Sequence, residues 1–291
     1  MSDKVLIFGS SGQLGTDLVS VLQDAGEFEV IPLTHQDADC TDAAAVRQAV
    51  LHSRPQCVIN SAAYVRVDDC EDHMSEAFAV NAIGALNIAR ACAEIDSLCV
   101  YISTDYVFDG MKESPYVESD PTTPINVYGT SKLTGELLIR QTAPRWLIVR
   151  VSSLFGRTGA RGKGGNFIDA ILAKAKGGEN LRVVNDIRIS PTYTRDAAEG
   201  LVALLNAKSE GITHMANGGD CTWYELARMI LELSGVAACV KPVSAADYPS
   251  KARRPKNSSL SSVRHTNVTR YWTKALEAYL EEKGYVSLLK A

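Results

Sequence analysis

The chain has no C-x-x-C pair, no H-E-x-x-H and no place where histidine clusters with cysteine. These absences argue against the common zinc spacings, and no metal site is expected. Seven cysteines, an odd number, are scattered along the sequence, and Cys57, Cys92 and Cys99 sit in apolar or helical contexts. That pattern fits reduced core thiols better than a disulfide framework. Positive charge is in deficit, with 30 Lys and Arg against 34 Asp and Glu for a net charge of −4. Nothing therefore attracts nucleic acid or an acidic membrane in general, and a bound anion has to be held by local groups. The start, Met1-Ser-Asp-Lys4, has no charged-then-apolar leader, and no apolar run nears the roughly 20 residues that cross a bilayer. The expectation is a soluble, cytoplasmic protein with neither nucleic-acid nor membrane partners.

What is present is a rhythm. Apolar strand-like runs at 5–8, 30–33, 57–60, 98–103 and 147–151 alternate with helical patterns, which predicts βαβ units and a parallel sheet covered on both faces. The fold class is α/β, a Rossmann-type doubly wound sheet with a smaller, interleaved C-terminal substrate lobe. The division assigns 1–153 and 190–212 to the dinucleotide domain, and 154–189 and 213–291 to the lobe. Leu14, Leu18 and Leu22 form one buried stripe. Thr41 is expected to cap a helix over 43–51, Ser75 one running towards 94, Thr194 one through 205 and Thr222 one through 233. A strand is expected at 212–216, and a final helix holds Trp272, Leu276 and Tyr279.

Three features carry chemistry. Gly9-Ser-Ser11-Gly12-Gln13-Leu14-Gly15 follows a strand and opens an amphipathic helix, where glycines allow a tight turn and a close approach of a diphosphate to the backbone and helix N-terminus. The end of the second strand, Leu33-Thr34-His35, has no Asp or Glu for the ribose hydroxyls and no Arg demanding a 2′-phosphate. NADPH is therefore favoured and NADH stays open. Asp39, followed by Cys40, reads equally as an adenine-binding residue and as a capping carboxylate. Tyr128 and Lys132 are four apart on a predicted helix and share a face. A lysine ammonium beside a phenol stabilises the phenolate and lowers its pKa, so Tyr128 is a general acid for carbonyl reduction. Thr104 is expected to bond the same carbonyl oxygen, and Lys132 to hold the nicotinamide ribose as well.

The glycine turn, Y-x-x-x-K and upstream Ser/Thr resemble the extended short-chain dehydrogenases/reductases. Within them, Gly12-Gln-Leu-Gly15, Asn60-Ser-Ala-Ala-Tyr64, Ala79-Val-Asn81, the run from Ile102 to Gly110, Asn126-Val-Tyr-Gly129, Ser190-Pro-Thr-Tyr193 and Arg254-Pro-Lys-Asn-Ser258 resemble the dTDP-4-dehydrorhamnose reductase family. The resemblance implies hydride transfer from NAD(P)H to C4 of a 4-keto-6-deoxy sugar on a nucleoside diphosphate. It implies that Ala62, Ala63 and Tyr64 line the cofactor cleft, that Asn81 is an active-site helix residue contacting the cofactor, and that Ser103, Asp105, Tyr106 and Asn166 sit near the sugar. A homodimer is also suggested. Tyr106 occupies the position where related dehydratases carry Glu, so dehydration is disfavoured. Two departures stand out: Ser153 replaces an aromatic residue, and Arg188 precedes Ile189 where glycine is usual. Arg188 reads either as a grip on a diphosphate or as a surface arginine. The basic cluster Lys251, Arg253, Arg254 and Lys256 reads as a diphosphate contact or a solvated face, and the loop 157–165 as a lid over substrate. Two rival readings accompany the reductase: an NADP-binding regulatory protein resembling the regulatory subunit of methionine adenosyltransferase, and a nucleotide-sugar epimerase.

Overall fold

The computed structural model describes residues 2–159, 165–248, 250–265 and 269–285. The chain opens with β1 (Asp3–Phe8), whose last four residues are buried, and turns through its glycines into α1 (Gln13–Ala25). Leu14, Leu18 and Leu22 form the buried stripe of α1, and Gly26 ends it in the left-handed conformation that glycine adopts at least cost. β2 (Phe28–Leu33) leads to α2 (Ala43–Ser53). Its cap is Asp42, one residue after the expected Thr41: the Asp42 carboxylate accepts from the Ala44 and Ala45 amides at 2.9 and 3.1 Å. Thr41 instead donates its hydroxyl to Asp39.

β3 (Cys57–Asn60) precedes α3 (Val67–Asp72), α4 (Met74–Phe78) and α5 (Gly84–Ile95), the last two joined by a π-helical turn at Ala79–Ile83. Ser75 lies inside the first turn of α4 rather than capping it, and His73 stands at that end without a side-chain cap bond. By length and composition the continuous helix Met74–Ile95 could span a bilayer, contrary to the reading from apolar runs, but 50% of its apolar window is buried inside this fold. β4 (Leu98–Thr104), α6 (Val127–Thr142) and β5 (Trp146–Val151) complete the regular half.

The second half is finer-grained. β6 (Leu154–Phe155) pairs with β9 (Thr192–Tyr193), β7 (Leu181–Val184) with β12 (Val240–Val243), and β8 (Arg188–Ile189) with β11 (Cys221–Thr222). Among them lie α7 (Phe167–Lys176), α8 (Thr194–Asn206), α9 (Trp223–Ser234) and α10 (Trp272–Glu282). Thr222 caps α9 as expected, in a reciprocal box with Glu225. Thr194, expected as a cap, is the first residue of α8, and its hydroxyl is turned inward to Asp17 and the Phe155 carbonyl.

The main sheet is wholly parallel, in the order β10-β5-β4-β3-β1-β2, where β10 is Gly211–Met215. Strand β10 thus reaches three residues past the boundary drawn at 212. Residues of α1 and α8 bury one sheet face and residues of α2, α5 and α6 the other. A separate core of Phe155, Ile171, Leu226, Ile230, Leu276 and Tyr279 belongs to the lobe. The order reverses between β1 and β3, and the crevice beyond the carboxyl ends of those strands is where open parallel sheets bind ligands.

Candidate active site

A cleft of about 1080 Å³ begins at this crevice and extends to the lobe. At its origin the glycines are required by close approach. Gly9 has φ +75°, and a Cβ there would come within 2.6 Å of the Ala62 nitrogen; at Gly15 it would come within 2.1 Å of the Gly9 oxygen. Gly12 caps α1 with no side chain covering the helix end, so the positive end of α1 faces the cleft. Ser11, Gln13 and Leu14 also line it. The buried Gln13 Oε1 has no hydrogen-bond partner, an orphaned polar atom of the kind a bound hydroxyl or amide satisfies. The residues present fit a dinucleotide.

At the cleft wall after β2, Asp39 Oδ1 accepts from the Thr41 amide and hydroxyl, both at 2.9 Å. Asp39 therefore closes a local turn while lining the cleft. Cys40 packs against Gly84, and burial pushes its thiol up to about 11, so it stays protonated. Beyond β2, Thr34 donates from both its amide and its hydroxyl to Asp37.

Ala62, Ala63 and Tyr64 form the next stretch of wall. Asn81 is absent from the cleft lining and fully buried behind it. The Asn81 Oδ1 accepts from the Tyr64 amide at 2.9 Å, while its Nδ2 donates to the Tyr64 carbonyl at 3.2 Å and to Ser131 Oγ at 3.0 Å. Its part is to position the wall and tie it to α6, which corrects the reading of direct cofactor contact. The π turn supplies the extra residue that carries this side chain inward.

Helix α6 starts under tight control. Asn126 caps it, accepting from the Gly129 amide at 2.7 Å, and Glu71 accepts from the Val127 amide at 2.9 Å. A Cβ on Gly129 would come within 2.1 Å of the Tyr106 oxygen, so glycine lets α6 press against the turn after β4. Tyr128 and Thr104 line the cleft together, and the Thr104 hydroxyl favours the Tyr128 phenolate. The Thr104 hydroxyl donates to Asp105 Oδ1 at 2.9 Å. Burial pushes the Tyr128 phenol well above its ordinary 10, against the lowering expected from Lys132. Desolvation outweighs the opposing effect of Thr104, and the phenol is protonated at neutral pH. Lys132 is itself buried; its Nζ donates to the Ile102 carbonyl at 2.6 Å and lies 3.9 Å from the Tyr101 ring centroid. Burial pushes its ammonium down to about 7, opposed by Glu136 and Cys40.

The substrate-side residues divide. Ser103, Asp105, Tyr106 and Asn166 line the cleft. Ser103 turns its hydroxyl back to Glu136 Oε1 at 2.5 Å. Asp105 is buried, accepts from Thr104 and from Ser152 at 3.0 Å, and is pushed up to about 6 by desolvation. Asn166 spends its side chain capping α7 and bonding the Gly156 carbonyl and the Tyr279 hydroxyl. Arg188 does not join the cleft: it is part-exposed and paired with Asp220, its Nε 2.6 Å from Oδ2. Of the basic cluster, Arg254 alone lines the cleft, held by Asp68 at 2.9 Å, and Lys251 pairs outward with Asp72. The body of the 157–165 loop, residues 160–164, lies outside the described residues. Sequence reasoning missed Phe167 and Trp223, which line the lobe end with rings 4.7 Å apart. Both are the first residue of a capped helix, a placement that projects a side chain toward the cleft but has no sequence motif.

Comparison with known proteins agrees with this geometry. A spore coat polysaccharide biosynthesis protein, SpsK, of Bacillus subtilis (strain 168) is 41% identical over 97% of this chain and 98% of its own. A dTDP-4-keto-6-deoxy-D-glucose reductase of Streptomyces niveus is 38% identical over 95% and 96%. The crystal structure of a dTDP-4-dehydrorhamnose reductase from Bacillus anthracis in complex with NADP superposes with TM-score 0.92 at 34% identity, covering 97% of this chain and all of that one. Residues 3–284 match the family described as RmlD substrate binding domain, and to that family this chain belongs.

Proposed function

We propose that the chain reduces the C4 ketone of a dTDP-linked 4-keto-6-deoxy sugar, using NADPH, in deoxysugar biosynthesis. The observation that carries this is the protonated Tyr128, in one cleft with Thr104 and one helical turn from buried Lys132, where the cleft opens at the Gly9–Gly15 turn. Gly9, Gly12, Gly15 and the N-terminus of α1 would hold the cofactor diphosphate, Ala62 to Tyr64 its central part, and Lys132 the nicotinamide ribose. When bound, the reduced nicotinamide supplies the hydride.

Tyr128 gives its proton to the carbonyl oxygen as negative charge develops there. Thr104, which lines the same cleft with its hydroxyl on Asp105 Oδ1, offers a second contact to the same oxygen. A lysine ammonium one turn away stabilises the phenolate left behind. The end of β2, Leu33-Thr34-His35, has no Asp or Glu to bind the ribose hydroxyls, which favours NADPH over NADH. The Phe167 and Trp223 rings offer the lobe end an aromatic face, while Ser153 adds no aromatic surface of its own. All seven cysteines are free and six are buried, consistent with a reducing cytoplasm. The test is oxidation of NADPH and of NADH by the purified protein with a panel of dTDP-linked 4-keto-6-deoxy hexoses. Turnover of one of them names the substrate, and turnover of none refutes the reading.

A further inference from the structure

Behind the cleft, Glu136 lies one turn beyond Lys132 on the face of α6 that carries Tyr128, at spacing i, i+4, i+8. It is 1% exposed and gripped by an equally buried Arg150 of β5 in a fork: Nε to Oε1 at 2.9 Å and Nη2 to Oε2 at 2.7 Å. The same Oε1 accepts the Ser103 hydroxyl at 2.5 Å, and Ser103 is both the neighbour of Thr104 and the register partner of Arg150. The guanidinium is held in turn, 5.2 Å from the Phe108 ring centroid and 3.5 Å from His214 Nε2. His214 Nδ1 lies 3.0 Å from two carbonyls, Tyr116 and Ser261, so that nitrogen carries the hydrogen and Nε2 accepts.

A buried ion pair adds little net stability compared with well-packed apolar residues, so its presence calls for a role in geometry or charge. We infer that Glu136 and Arg150 are positioning residues: they clamp the helix bearing Tyr128 and Lys132 to the strand bearing Thr104, and Glu136 keeps Lys132 an ammonium. The second half follows from what surrounds Lys132. Glu136 and Tyr128 face it from α6, the Tyr101 ring and Ile102 carbonyl from β4, and Cys40 from the segment after β2. With the Cys40 thiol and both phenols protonated at neutral pH, Glu136 is the one of these that is anionic, and its field opposes the loss of charge that burial imposes.

This inference rests on the proposed reductase reading for its meaning, but its first readout does not. The Lys132 side chain is titrated by NMR in lysine-labelled protein without cofactor, in wild type, Glu136→Gln and Glu136→Asp. The midpoint is expected to fall by about one pH unit in Glu136→Gln, the lower end of the effect of a close opposite charge, and to stay within a few tenths of wild type in Glu136→Asp. In assays with NADPH and the ketosugar, the basic limb of kcat against pH should move down with it. An unmoved midpoint in Glu136→Gln would overturn the inference and leave a merely structural pair. Should that variant fail to fold, Ser103→Ala retains the ion pair and removes the bond to β4: a fivefold or larger fall in kcat with the Lys132 midpoint and NADPH affinity unchanged supports the clamp, and an unchanged kcat overturns it. If wild type turns over no sugar, the functional reading fails while the NMR titration still decides the inference.

Discussion

At the scale of single residues, the site separates groups that react from groups that hold them. Tyr128→Phe removes the proton donor and little else, so kcat is expected to fall about 10²–10⁴-fold while NADPH binding, followed by fluorescence, stays within twofold. Asn81→Ala acts through the wall: it strips the Tyr64 amide and carbonyl of their partners, which costs about 1–3 kcal/mol for buried groups left unsatisfied. The expected result is weaker NADPH binding together with a lower denaturation midpoint, and unchanged affinity would contradict the assigned part. Asp105 sets a pH dependence. Its folded carboxyl titrates at about 6 against the ordinary 3.8, so between those values the native state binds more protons than the unfolded one and stability falls as pH rises. Asp105→Asn should remove that slope, and the stability difference between variant and wild type should grow from about pH 4 to 6 by up to roughly 3 kcal/mol. Denaturant titrations across that range would show it; parallel curves would rule it out.

At the scale of elements, the caps and close approaches decide how the site is aimed. Thr222→Ala breaks the capping box of α9 and should cost about 0.5–2 kcal/mol. Because Trp223 is the next residue, the loss should appear in KM for the nucleotide sugar more than in kcat. Gly15→Ala would force a methyl group to 2.1 Å from the Gly9 oxygen, so the turn must open and NADPH binding should be lost by more than tenfold in a titration. The same scale shows what could be read in advance. The glycine turn, β4 and the Tyr128/Lys132 face were legible because period, spacing and residue type all reflect local geometry. Helix starts were legible only to within a residue or two, since Thr41 and Asp42 are both good caps and Ser75 lies two residues past the end at His73. The π turn that buries Asn81 was not legible, because nothing in Ala79-Val-Asn81-Ala-Ile83 distinguishes it from an ordinary helix. Arg188 was open between a diphosphate grip and a surface arginine, and Asp220, 32 residues away in sequence, holds it.

At the scale of the whole molecule, a parallel sheet with both faces covered carries Thr104 while α6 packed on it carries Tyr128 and Lys132, and the lobe brings its own core and an aromatic end to the same cleft. The two are threaded together: residues near 257–260 return to bridge Arg188 and Tyr116. Ser103, Glu136 and Arg150, from three elements, make the site and the core continuous, which is why distant sequence segments could not reveal that contact. The central claim is that this cleft reduces a sugar ketone with a proton from Tyr128. The most direct test is NADPH oxidation by wild type and by Tyr128→Phe in the presence of a dTDP-linked 4-keto-6-deoxy hexose, with the product identified by NMR. The account predicts stoichiometric conversion to the C4 alcohol by wild type and its near-complete loss in the variant; equal rates in the two proteins, or no net oxidation with any such sugar, would contradict it.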